Sequence, residues 1–314
     1  MNHADAPLRL APSPATDAPA PASPAAPRLP APIYLDYFGL REAPFGITPD
    51  TDFICSTHAH QEGLNTLMLA LQGGEGFVKI TGEVGCGKSL LCRRLLRTLE
   101  AGQYVTAYLP NPSLSPEALL CSIADELELT LPLPENRHPY WLLRSLNEGL
   151  LEFARQGRNV LLLIDEAQAI PVATLEILRL LSNLETEKRK LLQIVLFGQP
   201  ELDTMLGDPA IRQLRQRIAF SYRLAGLQRN EIHPYLRHRL RTAGLVGGEV
   251  FAEDAVKALY RASGGVPRLV NVLANKCLLA VFGEGGQMVR ARHVRAAARD
   301  TEGAHRPAWV WWSR

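Results

Sequence analysis

No apolar run in these 314 residues approaches the roughly 18 needed to cross a bilayer, and the amino terminus lacks the charged start and apolar stretch of a signal peptide. Cysteine is scarce as well. Cys55, Cys86, Cys92, Cys121 and Cys277 form no CxxC pair and leave an odd one over, so a reducing setting with neither a disulfide framework nor a zinc site is the simpler reading. A net charge of +2 is too small to imply a polyanionic partner. With 46% apolar and 21% charged residues, the composition is that of an ordinary globular protein with room for one or two domains. Together the absences lead us to expect a cytoplasmic protein.

What is present centres on Phe77 to Ser89, FVKITGEVGCGKS. Gly82, four residues, then Gly87, Lys88 and Ser89 have the spacing of a phosphate-binding loop between a β-like run and an amphipathic helix. Gly82, Gly85 and Gly87 let the backbone turn with positive φ and approach a ligand, so the N–H groups of Gly82, Glu83, Val84, Gly85, Cys86, Gly87, Lys88, Ser89 and Leu90 can converge on phosphate oxygens. The helix that follows points its positive end at the same place. Lys88 would reach the β and γ phosphates and Ser89 would ligate Mg²⁺. Cys86, at a helix N-terminus beside Lys88, is expected to have a lowered thiol pKa, and maleimide should inactivate the protein unless ATP protects it.

Residues 1–32 hold nine prolines, ten alanines and no aromatic residue, and read as a disordered tail. A strap follows, YLDYFGLREAPFGITPD, whose Tyr37, Phe38 and Phe45 suit either an adenine wall or core packing. Helical and β-like runs then alternate to Arg223, which argues for a parallel sheet covered by helices on both faces. The buried run Val160 to Ile164 ends in Asp165 and Glu166, acids that would be costly there unless they face a site. In a P-loop enzyme Asp165 holds Mg²⁺ and Glu166 activates the attacking water. After the run Leu191 to Phe197 comes Gln199, either a sensor of the γ-phosphate or a turn-stabilising amide. Arg212, Arg215 and Arg217 precede the last β-like run, and Arg217 is our choice for a residue completing a neighbour's site.

Beyond Leu227 the pattern is helical to about residue 300, and SGGVPRLVN sets Arg268 one residue into a helix, where it could reach a bound nucleotide. The tail AWVWWSR, with three of the four tryptophans, suits a membrane interface, a partner groove or packing onto the helical bundle. The expected organisation is thus a tail over 1–32, an α/β nucleotide-binding core over 33–226, an all-α lid over 227–300 and a tryptophan-rich tail over 301–314.

The loop, Asp165–Glu166, Gln199, the arginines and GGVPR together resemble an AAA+ ATPase. The finer strings YFGLREAPFGITPD, KITGEVGCGKSLLCRRLL, LLLIDEAQ, IVLFGQPEL, LRQRI and SGGVPRLVN, spread over residues 34 to about 300, resemble the general secretion pathway protein A (ExeA-like) group and its MSHA-type (MshM) pilus biogenesis members. That resemblance implies a five-stranded AAA+ core with a helical lid, ATP and Mg²⁺ as cofactors, and a homo-oligomer. It further implies work on pilus or secretion proteins at the inner membrane. The position of Gln199 is more often Asn, Ser or Thr in AAA+ proteins at large. Longer ExeA-like proteins continue into a transmembrane helix and a peptidoglycan-binding domain that have no counterpart in these residues.

Two other readings stay open. Eight arginines between Met205 and Arg241, against Asp208 and Glu231, could form a DNA-binding stripe as in transposition-helper ATPases, which share the core motifs. A nucleotide-gated scaffold with little hydrolysis is the other, and Glu166 argues against it.

Overall fold

The computed structural model describes residues 33–46, 53, 55, 57–99, 103–131, 138–187 and 189–305. The expectations for the proline-rich tail 1–32 and for the tryptophans of the carboxyl tail lie outside the described residues. Helices α1 (Leu35–Phe38) and α2 (His58–Gln72) lead into β1 (Phe77–Thr81), followed by α3 (Lys88–Leu99), β2 (Tyr104–Leu109), α4 (Pro116–Glu126) and α5 (Pro139–Arg155). The core is completed by β3 (Asn159–Ile164), α6 (Val172–Leu181), β4 (Leu192–Gly198), α7 (Glu201–Leu206), α8 (Arg212–Arg215) and β5 (Ile218–Arg223). Four further helices end the fold: α9 (Ile232–Thr242), α10 (Glu253–Ser263), α11 (Pro267–Gly283) and α12 (Ala291–Arg299).

The strand order is β2-β3-β4-β1-β5 and every pairing is parallel. Because successive side chains of a strand point to opposite faces, an unbroken apolar strand must be covered twice. In β3, Val160, Leu162 and Ile164 join the apolar cluster built with α4, α5 and α6, while Leu161 and Leu163 join the cluster built with α2 and α3. Local signals set the helix starts as the sequence implies. Ser115 caps α4, its Oγ accepting the Ala118 N–H at 3.2 Å, with Pro116 at the first helical position. Pro139 opens α5 in the same way after the His138 cap.

The helical region has a core of its own, and the aromatic strap is part of it. Tyr34, Leu35, Leu40 and Phe45 are buried in one cluster with α9 to α12. Phe45 meets Phe251 edge to face, and the half-exposed Tyr37 meets Phe282. Of the two readings of the strap, packing describes Phe45, and the packing partner is the helical region rather than the sheet. Arg239 secures it: this guanidinium is buried, donates from Nε to the Pro44 carbonyl at 2.6 Å, and lies over the Phe53 ring. Arg239 therefore drops out of the supposed arginine stripe, since its charge faces inward.

A turn within the helical region fixes the segment that leads into it. Gly265 has φ +80°, and a side-chain carbon there would lie 2.2 Å from the Leu227 carbonyl, so only glycine fits. Across that contact the Leu227 N–H donates to the Gly265 carbonyl at 2.7 Å, tying the linker to the turn before Arg268.

Candidate phosphate and hydrolysis site

Parallel register brings the site together at the carboxyl ends of the strands. Thr81 is opposite Gly198 across β1 and β4, and Ile164 is opposite Leu196 across β3 and β4. The residues just past those ends, Gly82, Asp165 and Gln199, therefore emerge side by side, where open parallel sheets bind ligands.

The loop after β1 is shaped by three glycines in two ways. Gly85 and Gly87 have φ of +83° and +98°. Gly82 does not; its place is dictated by crowding, since a side-chain carbon would lie 2.7 Å from Cys86 Sγ and 2.8 Å from the Leu224 carbonyl. The expectation of positive φ at Gly82 is thereby corrected to one of close backbone approach. Glu83 and Val84 are exposed at the crest, while Lys88, which opens α3, is buried. Lys88 Nζ donates to the Gly82 and Glu83 carbonyls at 2.8 and 3.2 Å, so the ammonium is parked against its own loop beside the helix N-terminus. Ser89 and Leu90 continue the first turn of α3, with Ser89 Oγ donating to Asp165 Oδ2 at 2.6 Å. The other oxygen of Asp165 accepts the Glu166 N–H at 2.9 Å.

A hydroxyl and a buried carboxylate in contact, below an anion-binding helix start, form an oxygen set suited to a hard cation such as Mg²⁺. The glycine-containing loop ahead of α3 offers backbone N–H groups and Lys88 for phosphate oxygens, so the residues present fit a Mg²⁺-bound nucleotide.

Glu166 is held in the left-handed region at φ +50°, a conformation costing a non-glycine residue about 1 to 2 kcal/mol. Its carboxylate accepts from Gln168 Nε2 at 2.6 Å and Gln199 Nε2 at 2.9 Å. Burial pushes the Glu166 carboxyl up, but the two amide bonds and the charge of Lys88 outweigh it and leave the group below its ordinary range, hence ionised at neutral pH. Gln168 serves both neighbours: its Oε1 also accepts the Gln199 N–H at 2.9 Å. Between the two readings of Gln199, the side-chain amide goes to Glu166 and not to the turn.

Arg268 touches this site and Arg217 lies away from it. The Arg268 N–H donates to the Gly85 carbonyl at 3.2 Å, and its side-chain carbons crowd the place a Gly85 side chain would occupy, so the helical region rests on the phosphate loop itself. Arg217 is exposed and donates to Ser182 Oγ at 3.2 Å. It precedes Ile218, which is opposite Phe77 at the start of β1. The length of a five-residue strand, about 16 Å at 3.3 Å per residue, separates that end from the loop. Arg217 cannot serve this chain's own phosphates. Arg212 and Arg215 are exposed nearby on α8.

Cys86 requires a correction. Its side chain is 1% exposed, and burial raises its pKa; the opposing pull of Lys88 and of the loop's backbone is the lesser effect. The charges near the thiol favour its ionised form, but desolvation dominates because the thiol packs inward against Gly82.

Two contacts escaped the sequence reading. Gln168 follows Glu166 by two residues, a spacing that meant nothing until the turn Ala167–Ala169 folded it back. Tyr108, on the neighbouring strand β2, lies near Asp165; burial first and then the Asp165 charge push its phenol up to about 12. No local pattern in YVTAYL marks that tyrosine.

Residues 71–206 match a family described as AAA domain. Over 271 residues, 86% of this chain, the sequence is 41% identical to General secretion pathway protein A of Aeromonas hydrophila, and the chain spans about half, 49%, of that protein's length. The likeness to that group expected from the sequence is therefore found. Among solved structures, Cdc6p from Pyrobaculum aerophilum matches with a TM-score of 0.61 at 20% identity, covering 81% of this chain and 71% of that one. A Drosophila ORC structure bound to DNA matches with a TM-score of 0.61 at 16% identity, covering 88% and 69%. The chain has the fold of the AAA P-loop NTPases: a five-stranded parallel sheet sandwiched by helices.

Proposed function

We propose that this chain binds ATP with Mg²⁺, hydrolyses it, and uses the cycle to drive assembly of a secretion or MSHA-like type IV pilus system at the inner membrane. The observation that carries the reading is the convergence of Lys88, Ser89 with Asp165, and Glu166 with Gln199 at one end of the sheet. Lys88 exchanges its two loop carbonyls for phosphate oxygens. Ser89 and Asp165 would hold Mg²⁺, which when bound would supply charge neutralisation for the phosphates. Glu166, ionised, accepts a proton from the attacking water, and the amides of Gln199 and Gln168 set the carboxylate's direction. Arg268 reports the nucleotide to the helical region through Gly85. Arg217 supplies charge to the site of a second copy, so the working form is a homo-oligomer.

The 41% identity to General secretion pathway protein A supports the secretion setting. Among the described residues no helix is long and apolar enough to cross a membrane. Nucleic acid is the second reading, favoured by the exposed arginines 212, 215, 223, 229, 237 and 241. It requires DNA affinity falling linearly with log salt, and no shift at low salt would remove it.

ATP turnover and nucleotide affinity of the full chain test the main reading. Lys88→Ala should lose binding and turnover together. Glu166→Gln should keep binding while turnover falls by roughly 10² to 10⁴, the usual worth of a positioned base. Wild-type turnover in Lys88→Ala would sink the proposal.

A further inference from the structure

Among the described residues, three buried side-chain nitrogens have no hydrogen-bond partner: His60 Nε2, Arg94 Nη1 and His238 Nε2. The first of them faces the phosphate loop. His60 lies in the first turn of α2 and is 6% exposed. Thr57 caps that helix, its Oγ1 accepting the His60 N–H at 3.3 Å while lying 2.7 Å from His60 Nδ1. A hydroxyl has one proton. Thr57 can accept from the backbone and still donate that proton to Nδ1, and in this arrangement the ring's own hydrogen sits on Nε2.

That Nε2–H is directed at the backbone of Gly87 without reaching hydrogen-bonding geometry. A side-chain carbon on Gly87 would lie 2.5 Å from Nε2 and 3.1 Å from Cε1, so the imidazole itself excludes any larger residue there. Gly87 is the last turn residue before Lys88 and Ser89, and its carbonyl accepts the first bond of α3, from the Leu91 N–H at 3.0 Å. The amino end of α2 is also tied to the linker of the helical region. Glu231 accepts the His58 N–H at 3.0 Å through one oxygen and the Gln228 N–H at 2.8 Å through the other.

We propose that His60 is a positioning residue for the nucleotide phosphates: as the Nε2–H tautomer it seats Gly87, and with it the turn that aims Lys88, Ser89 and the loop N–H groups. The inference rests on the ATP reading above. Its physical content is preorganisation, a loop held near its binding shape so that less is lost on ordering it. Closing the short gap at Gly87 on binding adds a buried bond that the free protein lacks.

Binding of a fluorescent N-methylanthraniloyl-ATP with Mg²⁺ to full-length His60→Gln, His60→Asn and Lys88→Ala decides it, together with ATPase kinetics and melting without nucleotide. A glutamine amide can place its N–H near the position of Nε2, whereas asparagine reaches only the position of Nδ1. His60→Asn should bind roughly tenfold more weakly, the worth of about one buried hydrogen bond, with KM rising more than kcat falls. His60→Gln should recover most of that loss. Equal affinities for the two variants would overturn the inference, whether both match wild type or both are weakened in step with their melting temperatures. If Lys88→Ala abolishes binding while His60→Asn binds as wild type, the role of His60 alone is lost. If Lys88→Ala binds as wild type, the ATP reading itself fails.

Discussion

At the carboxyl end of the sheet Lys88 and Asp165 are buried and bonded inside the chain, whereas at the amino end Arg212, Arg215 and Arg217 stand exposed, with Ser182 as a partner of the last. At the first end polar side chains direct one another: Ser89 donates to Asp165, Asp165 accepts the Glu166 N–H, and Gln168 bonds both Glu166 and Gln199. The contrast teaches that the polar side chains at one end are committed to one another within the chain, while the arginines at the other stay open to solvent, as the proposed function requires. A phosphate site completed between copies needs both kinds of surface, since a guanidinium in low dielectric stabilises transferring charge far more than one in water.

The largest expected effect probes the amino end. Arg217→Ala should lower ATP turnover by about 10³, within the range for residues of this type, while leaving nucleotide affinity near wild type. Mixing Arg217→Ala with Glu166→Gln subunits should restore part of the activity, because some interfaces then pair an intact arginine with an intact glutamate. Full turnover by Arg217→Ala, or by a strictly monomeric preparation, would break the comparison.

An intermediate effect probes the carboxyl end. Gln168→Leu removes one of the two amides on Glu166, and turnover should fall roughly tenfold, in proportion to one lost hydrogen bond to a charged group. The sign of the pH effect follows from the same contact. Gln168 helps hold the Glu166 carboxyl below its ordinary range, so its removal moves that pKa upward, and the acidic limb of the pH–rate profile should shift to higher pH. A profile that stays in place would mean that the carboxylate is oriented by Gln199 without help.

The smallest expected effect is at Cys86. With its thiol buried and its pKa raised, brief maleimide treatment of the folded protein should leave turnover within about twofold of untreated enzyme. Rapid inactivation that ATP prevents would instead show that the loop opens and exposes Gly82 and Cys86.

The fold was legible because its signals are local and repeated. Short continuous apolar runs such as Val160 to Ile164, set off by a breaker such as Gly157, fit strands buried on both faces, and caps such as Ser115–Pro116 set helix starts without outside help. The phosphate loop was legible for the same reason: its glycines, Lys88 and Ser89 are neighbours in the chain, and their geometry follows from backbone freedom and a helix start. Asp165 and Glu166 could be read from the cost of placing acids at the end of a buried strand.

What sequence could not determine depends on which residues the fold brings together from far apart. Whether the Cys86 thiol meets solvent or Gly82, whether the Gln199 amide turns to its own turn or to Glu166, and whether the strap covers the sheet or the helical bundle are all settled by packing. So are the contacts of Tyr108 and His60, which reach Asp165 and Gly87 across dozens of intervening residues. Sequence by itself determined the phosphate loop, the acidic strand end and the alternation of strands and helices, because each is set by short-range backbone and burial chemistry. Tertiary structure alone decided which side chains hold Glu166, which thiol is sealed from water and which arginines are left facing outward, because desolvation and hydrogen-bond direction exist only once the elements have packed.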